Sequence, residues 1–195
     1  MRRNDITYTV PFRRKREGKT DYRKRLALLK SGLPRLVVRK SIKNVVVQII
    51  QYQSTGDKVI VSAHSNELKK YGWKLSRGNI TAAYLVGMLI GEKAKKAKIK
   101  DVILDMGLQL SVKGSRIYAV VKGFLDAGLK LPCDPEILPS DDRLLGKHVE
   151  AYAKQLMADK VRYQHQFSAY LAQGVNPTEI SKYVQETKAK IAKGV

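Results

Sequence analysis

The sequence predicts an α/β fold: a mixed sheet whose first three strands form an antiparallel meander, followed by helix, strand and helix. Strand-length runs of β-branched and aliphatic residues recur before residue 64 with polar turns between them. From residue 79 onward, two amphipathic helical segments flank one further apolar strand. We therefore divide the chain into an extended basic arm (1–19), an α/β core (20–130), and a linker with a helical C-terminal extension (131–195).

The composition indicates a polyanionic partner. The 195 residues include 38 Lys and Arg against 17 Asp and Glu, a net charge of +21, while 44% hydrophobic residues are enough for a core. The mutual repulsion of these positive charges is relieved when a polyanion binds, so nucleic acid is the expected partner and a membrane surface is the weaker alternative. The longest nearly apolar stretch, residues 82–91, is too short for a bilayer span, and the single Cys133 excludes an internal disulfide. We expect a cytoplasmic protein.

The N-terminal arm is the most cationic segment. Residues 1–30, which include the arm and the segment after it, carry 11 basic and 3 acidic side chains. Around the run Arg13–Arg16 no helix or strand is favoured. A solvated, disordered tail is one interpretation. The interleaved Tyr8, Phe12 and Tyr22 favour RNA instead, because aromatic rings stack on unpaired bases while Arg and Lys neutralise phosphates.

A short helix and the meander follow the arm. The helix begins at an N-cap, Thr20 or Asp21, places Tyr22, Leu26 and Leu29 on one face, and stops at Gly32. Strands are predicted at residues 35–40, 45–50 and 58–63, with polar turns at 41–44 and 54–57.

The first strand pair carries polar side chains among its apolar ones. An ionised group buried without a partner costs several kcal/mol or more, so we expect these side chains to face solvent or a polyanion. They are Arg35, Arg39, Lys40, Lys43 and Asn44.

The second half of the core begins with one or two helical turns at residues 65–71 and Trp73, which we interpret as a core lid rather than a base-stacking platform. Asn79 caps a helix over residues 80–98, whose small residues Ala83, Gly87 and Gly91 permit close approach to a sheet. Residues 101–105 form a fourth strand, which is expected to be parallel to a neighbour because a helix precedes it.

A last core helix is predicted at residues 116–127. Its opening loop, Lys113, Gly114, Ser115 and Arg116, places a Gly-Ser pair between two cations at a helix N-terminus, where free N–H groups attract phosphate. An ordinary N-cap explains the same four residues as well.

Beyond an irregular, proline-containing segment at 129–139, the sequence becomes helical. Helices are predicted from Asp141 or Asp142 to about residue 157, over residues 160–173, and after an N-cap at Asn176 followed by proline. We expect these helices to form an appendage. No His pair lies at ligand spacing with carboxylates, so no metal site is expected.

The order of elements resembles the ribonuclease H topology, whose two-metal hydrolysis needs several converging carboxylates. The first strand has none, Asp101 and Asp105 have no visible partners, and Asp57 belongs to a turn. His64, His148 and His165 are isolated. We therefore expect no catalytic residue, cofactor or small-molecule substrate, and keep a metal-dependent nuclease and a nonspecific nucleic-acid-binding protein as alternatives.

Four stretches of the chain are distinctive. They are residues 8–41, residues 78–99 (GNITAAYLVGMLIGEKAKKAKI), residues 112–129 (VKGSRIYAVVKGFLDAGL) and residues 138–153 (LPSDDRLLGKHVEAYA). Together they resemble the archaeal form of large-subunit ribosomal protein eighteen. The resemblance implies a protein of the central protuberance that binds 5S ribosomal RNA, with large-subunit 23S-type ribosomal RNA and neighbouring ribosomal proteins as further partners and no membrane. It also implies a ribonuclease H-like core without nuclease activity.

The resemblance implies RNA-binding residues in three groups. The arm contributes Arg13, Arg14, Lys15, Arg16, Lys19, Tyr22 and Arg23; the strand pair contributes Arg35, Arg39, Lys40, Ser41, Lys43 and Asn44; the helix-opening loop contributes Lys113, Gly114, Ser115 and Arg116. The chain departs from the family at residues 42–44, where a more polar turn ending in a basic or imidazole side chain is expected.

Overall fold

The computed structural model describes residues 9–194, which form a four-stranded sheet and eight α-helices. Short 3-10 helices occur at Ser65–Tyr71, Pro135–Ile137 and Pro177–Glu179. The strands and α-helices are β1 (Arg35–Lys40), β2 (Val45–Gln51), β3 (Lys58–His64), β4 (Ile103–Asp105), α1 (Arg13–Arg16), α2 (Tyr22–Leu29), α3 (Ile80–Lys96), α4 (Arg116–Asp126), α5 (Asp141–Leu145), α6 (Lys147–Leu156), α7 (Lys160–Leu171) and α8 (Ile180–Gly194).

The strand order is β3-β2-β1-β4, with β1, β2 and β3 antiparallel and β4 parallel to β1. This confirms the meander and the direction of the fourth strand. Leu36 of β1 lies opposite Ile49 of β2 and Leu104 of β4. The parallel direction follows from the α3 crossover, since a helical connection returns the chain to the starting end of the sheet.

Helix α3 is at the centre of the molecule. It packs against β2 and β3 on one side and against α4 and α8 on others, and 12 of its 17 residues are buried. The sheet face toward it is formed by alternate strand residues such as Leu36, Val47 and Ile49, all fully buried. Trp73 is 3% exposed and donates to the Ser76 carbonyl at 3.1 Å, which confirms its place in the core.

The small residues of α3 contact another helix, so the prediction that they face a sheet is wrong. A Cβ at Gly87 would lie 2.2 Å from the Val120 carbonyl oxygen of α4, and one at Gly123 would lie 2.2 Å from the Tyr84 carbonyl of α3. Helical periodicity identifies such a stripe, but it does not specify which element approaches it.

The C-terminal helices are not an appendage, which corrects that expectation. Ile180, Val184 and Ile191 of α8 are at most 3% exposed and belong to the same apolar cluster as the sheet. The predicted helix over 141–157 is two helices, because Gly146 has φ of 81°, a left-handed conformation that ends α5 before α6 begins. The apolar residues of α8 recur at helical spacing, and the core beside α3 covers them.

The arm is partly helical. The prediction that no helix forms there is wrong at α1, whose first turn is closed by the Phe12 carbonyl accepting from the N–H groups of Lys15 and Arg16 at 2.9 and 3.1 Å. Tyr8, which we expected to stack on bases, lies outside the described residues.

Across residues 9–194, no helix combines the length and apolar character needed to cross a membrane.

Candidate nucleic-acid interface

The arm folds back beside α2 and exposes its cations. Phe12 and Tyr22 have ring centroids 5.0 Å apart, and Arg14 Nε donates to Thr20 Oγ1 at 2.9 Å. Glu17 is the acidic partner within the arm, 3.7 Å from Arg13 and 2.8 Å from Lys19. The side chains of Arg13 and Lys19 remain 75% and 61% exposed. The arm therefore presents a dense positive surface to solvent.

Helix α2 is attached to the sheet by charge. None of its residues is buried, and Leu26, which shares a face with Tyr22 and Leu29, is 57% exposed. Arg25 instead donates two hydrogen bonds of 2.9 Å to the two carboxylate oxygens of Asp57, in the turn between β2 and β3. This bidentate pair positions α2, and with it Tyr22 and Arg23, over one end of the sheet.

Arg35 is buried, which corrects the expectation that it faces solvent or a polyanion. Its side chain is 3% exposed, and its two terminal nitrogens donate to Asp57 and Asp105 at 2.7 Å each. Two carboxylates pair with its terminal nitrogens, so the positive charge is not buried without a counter-charge, while Nε has no hydrogen-bond partner among the described residues. The partners lie 22 and 70 residues away in the chain, beyond the reach of a local pattern.

The pKa of Asp57 lies below its ordinary value. Burial alone would raise this pKa, but the hydrogen bonds from Arg25 and Arg35 outweigh that effect. The hydrogen bond to Asp57 in turn raises the pKa of Arg25. Both side chains are therefore held in their charged forms.

The four charges, Arg25, Asp57, Arg35 and Asp105, hold together the walls of a groove of about 810 Å³. One wall is α2 with the arm, bound through Arg25. The opposite wall is the loop after β4, where the N–H of Gly107 donates to Asp105 Oδ1 at 2.9 Å. We call this space the sheet groove, because its floor is the outer face of β1 and β2.

The sheet groove has a cationic rim and an apolar floor. Six basic and three acidic residues line it, a net of three positive charges. Val37 and Ile50 are on the floor, and Arg39 beside them donates to Gln48 Oε1 at 2.7 Å. Two predicted groups, the arm and the first strand pair, thus meet at one surface.

The remaining predicted residues meet at the β1–β2 turn. Arg116 Nη1 donates to the carbonyls of Ser41 and Gly78 at 2.9 and 2.7 Å, which ties the helix-opening loop to the turn. Asn44 Oδ1 accepts from Ser65 Oγ at 3.2 Å, so its side chain contributes to the turn structure. Lys40 and Lys43 are exposed beside this junction.

Two backbone N–H groups of the helix-opening loop form hydrogen bonds within the protein. The N–H groups of Gly114 and Ser115 donate to the carbonyls of Ile137 and Val112 at 2.9 and 3.2 Å. The Ser115 side chain makes no capping hydrogen bond. Lys113 is exposed, so the loop contributes one solvent-facing cation on the side of the molecule where Arg116 contacts the β1–β2 turn.

Sequence reasoning missed the residues that shape the groove. The sequence pattern does not predict that Arg25, Asp57 and Asp105 lie close together. It also does not identify the amides that line the groove, Gln48 and Gln109. Only the alternation of β2, which places Gln48 on the outer face among valines and isoleucines, was a usable signal. Across residues 9–194, His, Cys, Asp and Glu form no group of three placed to hold a metal ion.

The comparisons with known proteins agree with each other. A family described as ribosomal large subunit proteins 60S L5 and 50S L18 matches residues 6–102. The large ribosomal subunit protein uL18 of the archaeon Methanococcus maripaludis is 52% identical over 184 residues, which cover 94% of this chain and 95% of that protein.

Proposed function

The chain belongs to the family of large-subunit ribosomal proteins 60S L5 and 50S L18, and from this premise we propose that it binds 5S ribosomal RNA and helps attach it to the large-subunit ribosomal RNA in the central protuberance. It is a structural component of the large subunit of the cytoplasmic ribosome and takes part in translation. Its partners are then the two RNAs and the neighbouring ribosomal proteins.

The observation that carries the proposal is the surface formed by the arm and the sheet groove. Exposed guanidinium and ammonium groups of the arm hold phosphates, and Arg39, Lys40, Lys43 and Lys113 extend the interface along the sheet. Tyr22 and Phe12 offer aromatic rings for unpaired bases. Arg35 and Arg116 act by holding the acidic groups and the backbone around this surface. Both terminal nitrogens of Arg35 donate to carboxylates, and Nη1 of Arg116 donates to two backbone carbonyls.

We infer that the core has a ribonuclease H-like topology without nuclease function. The antiparallel meander, the helical crossover and the parallel fourth strand support the topology. Asp57 and Asp105, which lie on the same side of the sheet, are both engaged by Arg35. Because Arg35 already neutralises both carboxylates, they are not free to bind the metal ions that a two-metal nuclease needs, which disfavours that alternative.

The proposal is tested by titrating the protein against a 5S ribosomal RNA transcript and against a structured RNA of equal length at several salt concentrations. Electrostatic binding alone treats both RNAs alike and weakens in parallel as salt rises. We expect a preference of about tenfold or more, or ~1.4 kcal/mol, that persists at high salt. Equal affinities would refute 5S recognition by this chain alone.

The arm is tested by replacing Arg13, Arg14, Lys15 and Arg16 with alanine. We expect weaker binding and a shallower dependence of affinity on salt, by roughly 0.7 to 0.9 for each phosphate that the variant no longer neutralises. The matched control removes four exposed charges from the C-terminal helices by changing Lys154, Lys160, Arg162 and Lys193 to alanine. If both variants change the slope equally, only net charge matters and the arm has no specific role.

A further inference from the structure

We propose that the sheet groove binds a single unpaired nucleotide of the RNA and that Gln109 recognises its base. This inference rests on the proposed function, because it names the part of the RNA that the surface takes. Three features support it: the size of the groove, an unsatisfied polar atom on a side chain that lines it, and the charged and aromatic residues of the same lining.

The groove has the size of a small-ligand site. Its volume of about 810 Å³ lies within the roughly 300–1,000 Å³ typical of pockets that enclose small ligands. Its floor contains Val37 and Ile50, and the side chain of Leu108 on the loop wall is 50% exposed. Apolar surface of this extent suits the face of a base, whereas a duplex keeps its bases stacked and paired.

Gln109 supplies the polar group that this apolar surface lacks. Its side-chain oxygen is buried and has no hydrogen-bond partner among the residues that the structure describes. A buried acceptor without a donor costs free energy, so such a group calls for a partner from outside the chain. An unpaired base presents N–H donors on its Watson–Crick edge and can satisfy it.

Aromatic and cationic residues of the groove are suited to bind the base ring and the phosphate of a nucleotide. Tyr22 lines the groove and is supported from the side by Phe12, which gives a ring on which the base can stack. Arg14 and Lys19 lie on the rim from the arm, and Arg39 lies on the rim from the sheet. A base inside the groove therefore leaves its phosphate next to cations.

The loop that holds Gln109 is fixed before RNA arrives. Asp105 accepts from Gly107 N–H with one carboxylate oxygen and from Arg35 with the other, and Gln109 N–H donates to the Met106 carbonyl at 3.3 Å. The backbone of the loop is thus preorganised, which reduces the entropic cost of binding.

The first test replaces Gln109 with leucine, with Gln155→Leu on the exposed face of α6 as the control. Because the replaced oxygen has no partner in the described part of the protein, the variant should unfold at the same temperature as the wild type or a higher one. Its affinity for the 5S ribosomal RNA transcript should fall about fivefold to tenfold with an unchanged salt slope. A variant that loses stability and affinity together would mean that Gln109 is structural, and an unchanged affinity would overturn the proposal.

The second test does not alter Gln109. A benzophenone-bearing phenylalanine at Leu108, on the groove wall, is irradiated in the complex with the 5S transcript, and the same residue at the exposed Val161 of α7 is the control. We expect a crosslink to one unpaired nucleotide from position 108 only. Crosslinks to paired nucleotides only, or no crosslink to the RNA, would overturn the proposal.

Failure of the nucleotide site is distinguishable from failure of the proposed function. Absence of a preference for the 5S transcript in the wild-type protein contradicts the proposed function itself. A retained preference, with Gln109→Leu equal to wild type and no crosslink at position 108, contradicts only the nucleotide site in the sheet groove.

Discussion

Replacing Arg35 with methionine should destabilise the protein markedly, because it removes the shared partner of two carboxylates. The Arg35 side chain is 3% exposed, while those of Asp105 and Asp57 are 15% and 26% exposed. Removing one partner of a buried ion pair lowers the free energy of unfolding by about 3–5 kcal/mol. Asp57 keeps Arg25 and both carboxylates retain some water, so we expect the lower end, about 3 kcal/mol. For a domain of this size, the midpoint temperature of thermal unfolding should fall by roughly 6–12 °C.

The measurement is urea unfolding of Arg35→Met, Asp105→Asn and the double variant, followed by circular dichroism. The double variant should be more stable than the sum of the single losses predicts, because the unpaired carboxylate is gone. Arg23→Met on the exposed side of α2 is the control and should lie within about 0.5 kcal/mol of wild type. A loss of stability below about 1 kcal/mol for Arg35→Met, or strictly additive effects of the two substitutions, would refute the role of Arg35 as a buried ion-pair partner of two carboxylates.

Three other perturbations test the packing and the charges. Gly87→Ala would stabilise an isolated helix by about 1 kcal/mol, but it should destabilise this protein by roughly 1–3 kcal/mol because its Cβ would meet the Val120 carbonyl. Thermal unfolding shows whether the melting temperature of the variant falls or rises. Ile191→Ala should cost about 2–5 kcal/mol and shift one cooperative transition, whereas two separate transitions would show that α8 folds apart from the sheet. Stability should fall as the pH drops below about 3.9 towards the lower folded pKa of Asp57, since the unfolded chain takes up that proton first, and acid titration of Asp57→Asn should show a smaller loss.

Local patterns were sufficient for most elements. Alternating and β-branched runs predicted β1 to β3, and the Asn79 cap, whose side chain accepts from Ala82 N–H at 2.8 Å, marked the start of α3. These signals are reliable because capping and strand periodicity involve residues only a few positions apart. The break at Gly146 was missed, since a glycine within a helical pattern is compatible with a continuous helix until its φ is known.

The functional surface was predictable in composition and unpredictable in arrangement. The exposure of the cations of the arm, of Arg39 and of Lys43 could be predicted from charge and position alone. Arg35 has the same local signature as Arg39 on the same strand, yet it is buried against carboxylates 22 and 70 residues away. Whether a charge meets RNA or a carboxylate depends on contacts between distant segments.

The sequence by itself determined the strand meander, the start of α3, the excess of positive charge and the membership of a ribosomal family, because each depends on local spacing or on composition. Only the tertiary structure decided that the stripe of small residues meets α4, that α8 completes the core, and that Arg35 braces the groove in which Gln109 lies. These outcomes depend on which surfaces pack together, and packing energy arises from contacts between residues that are distant in sequence.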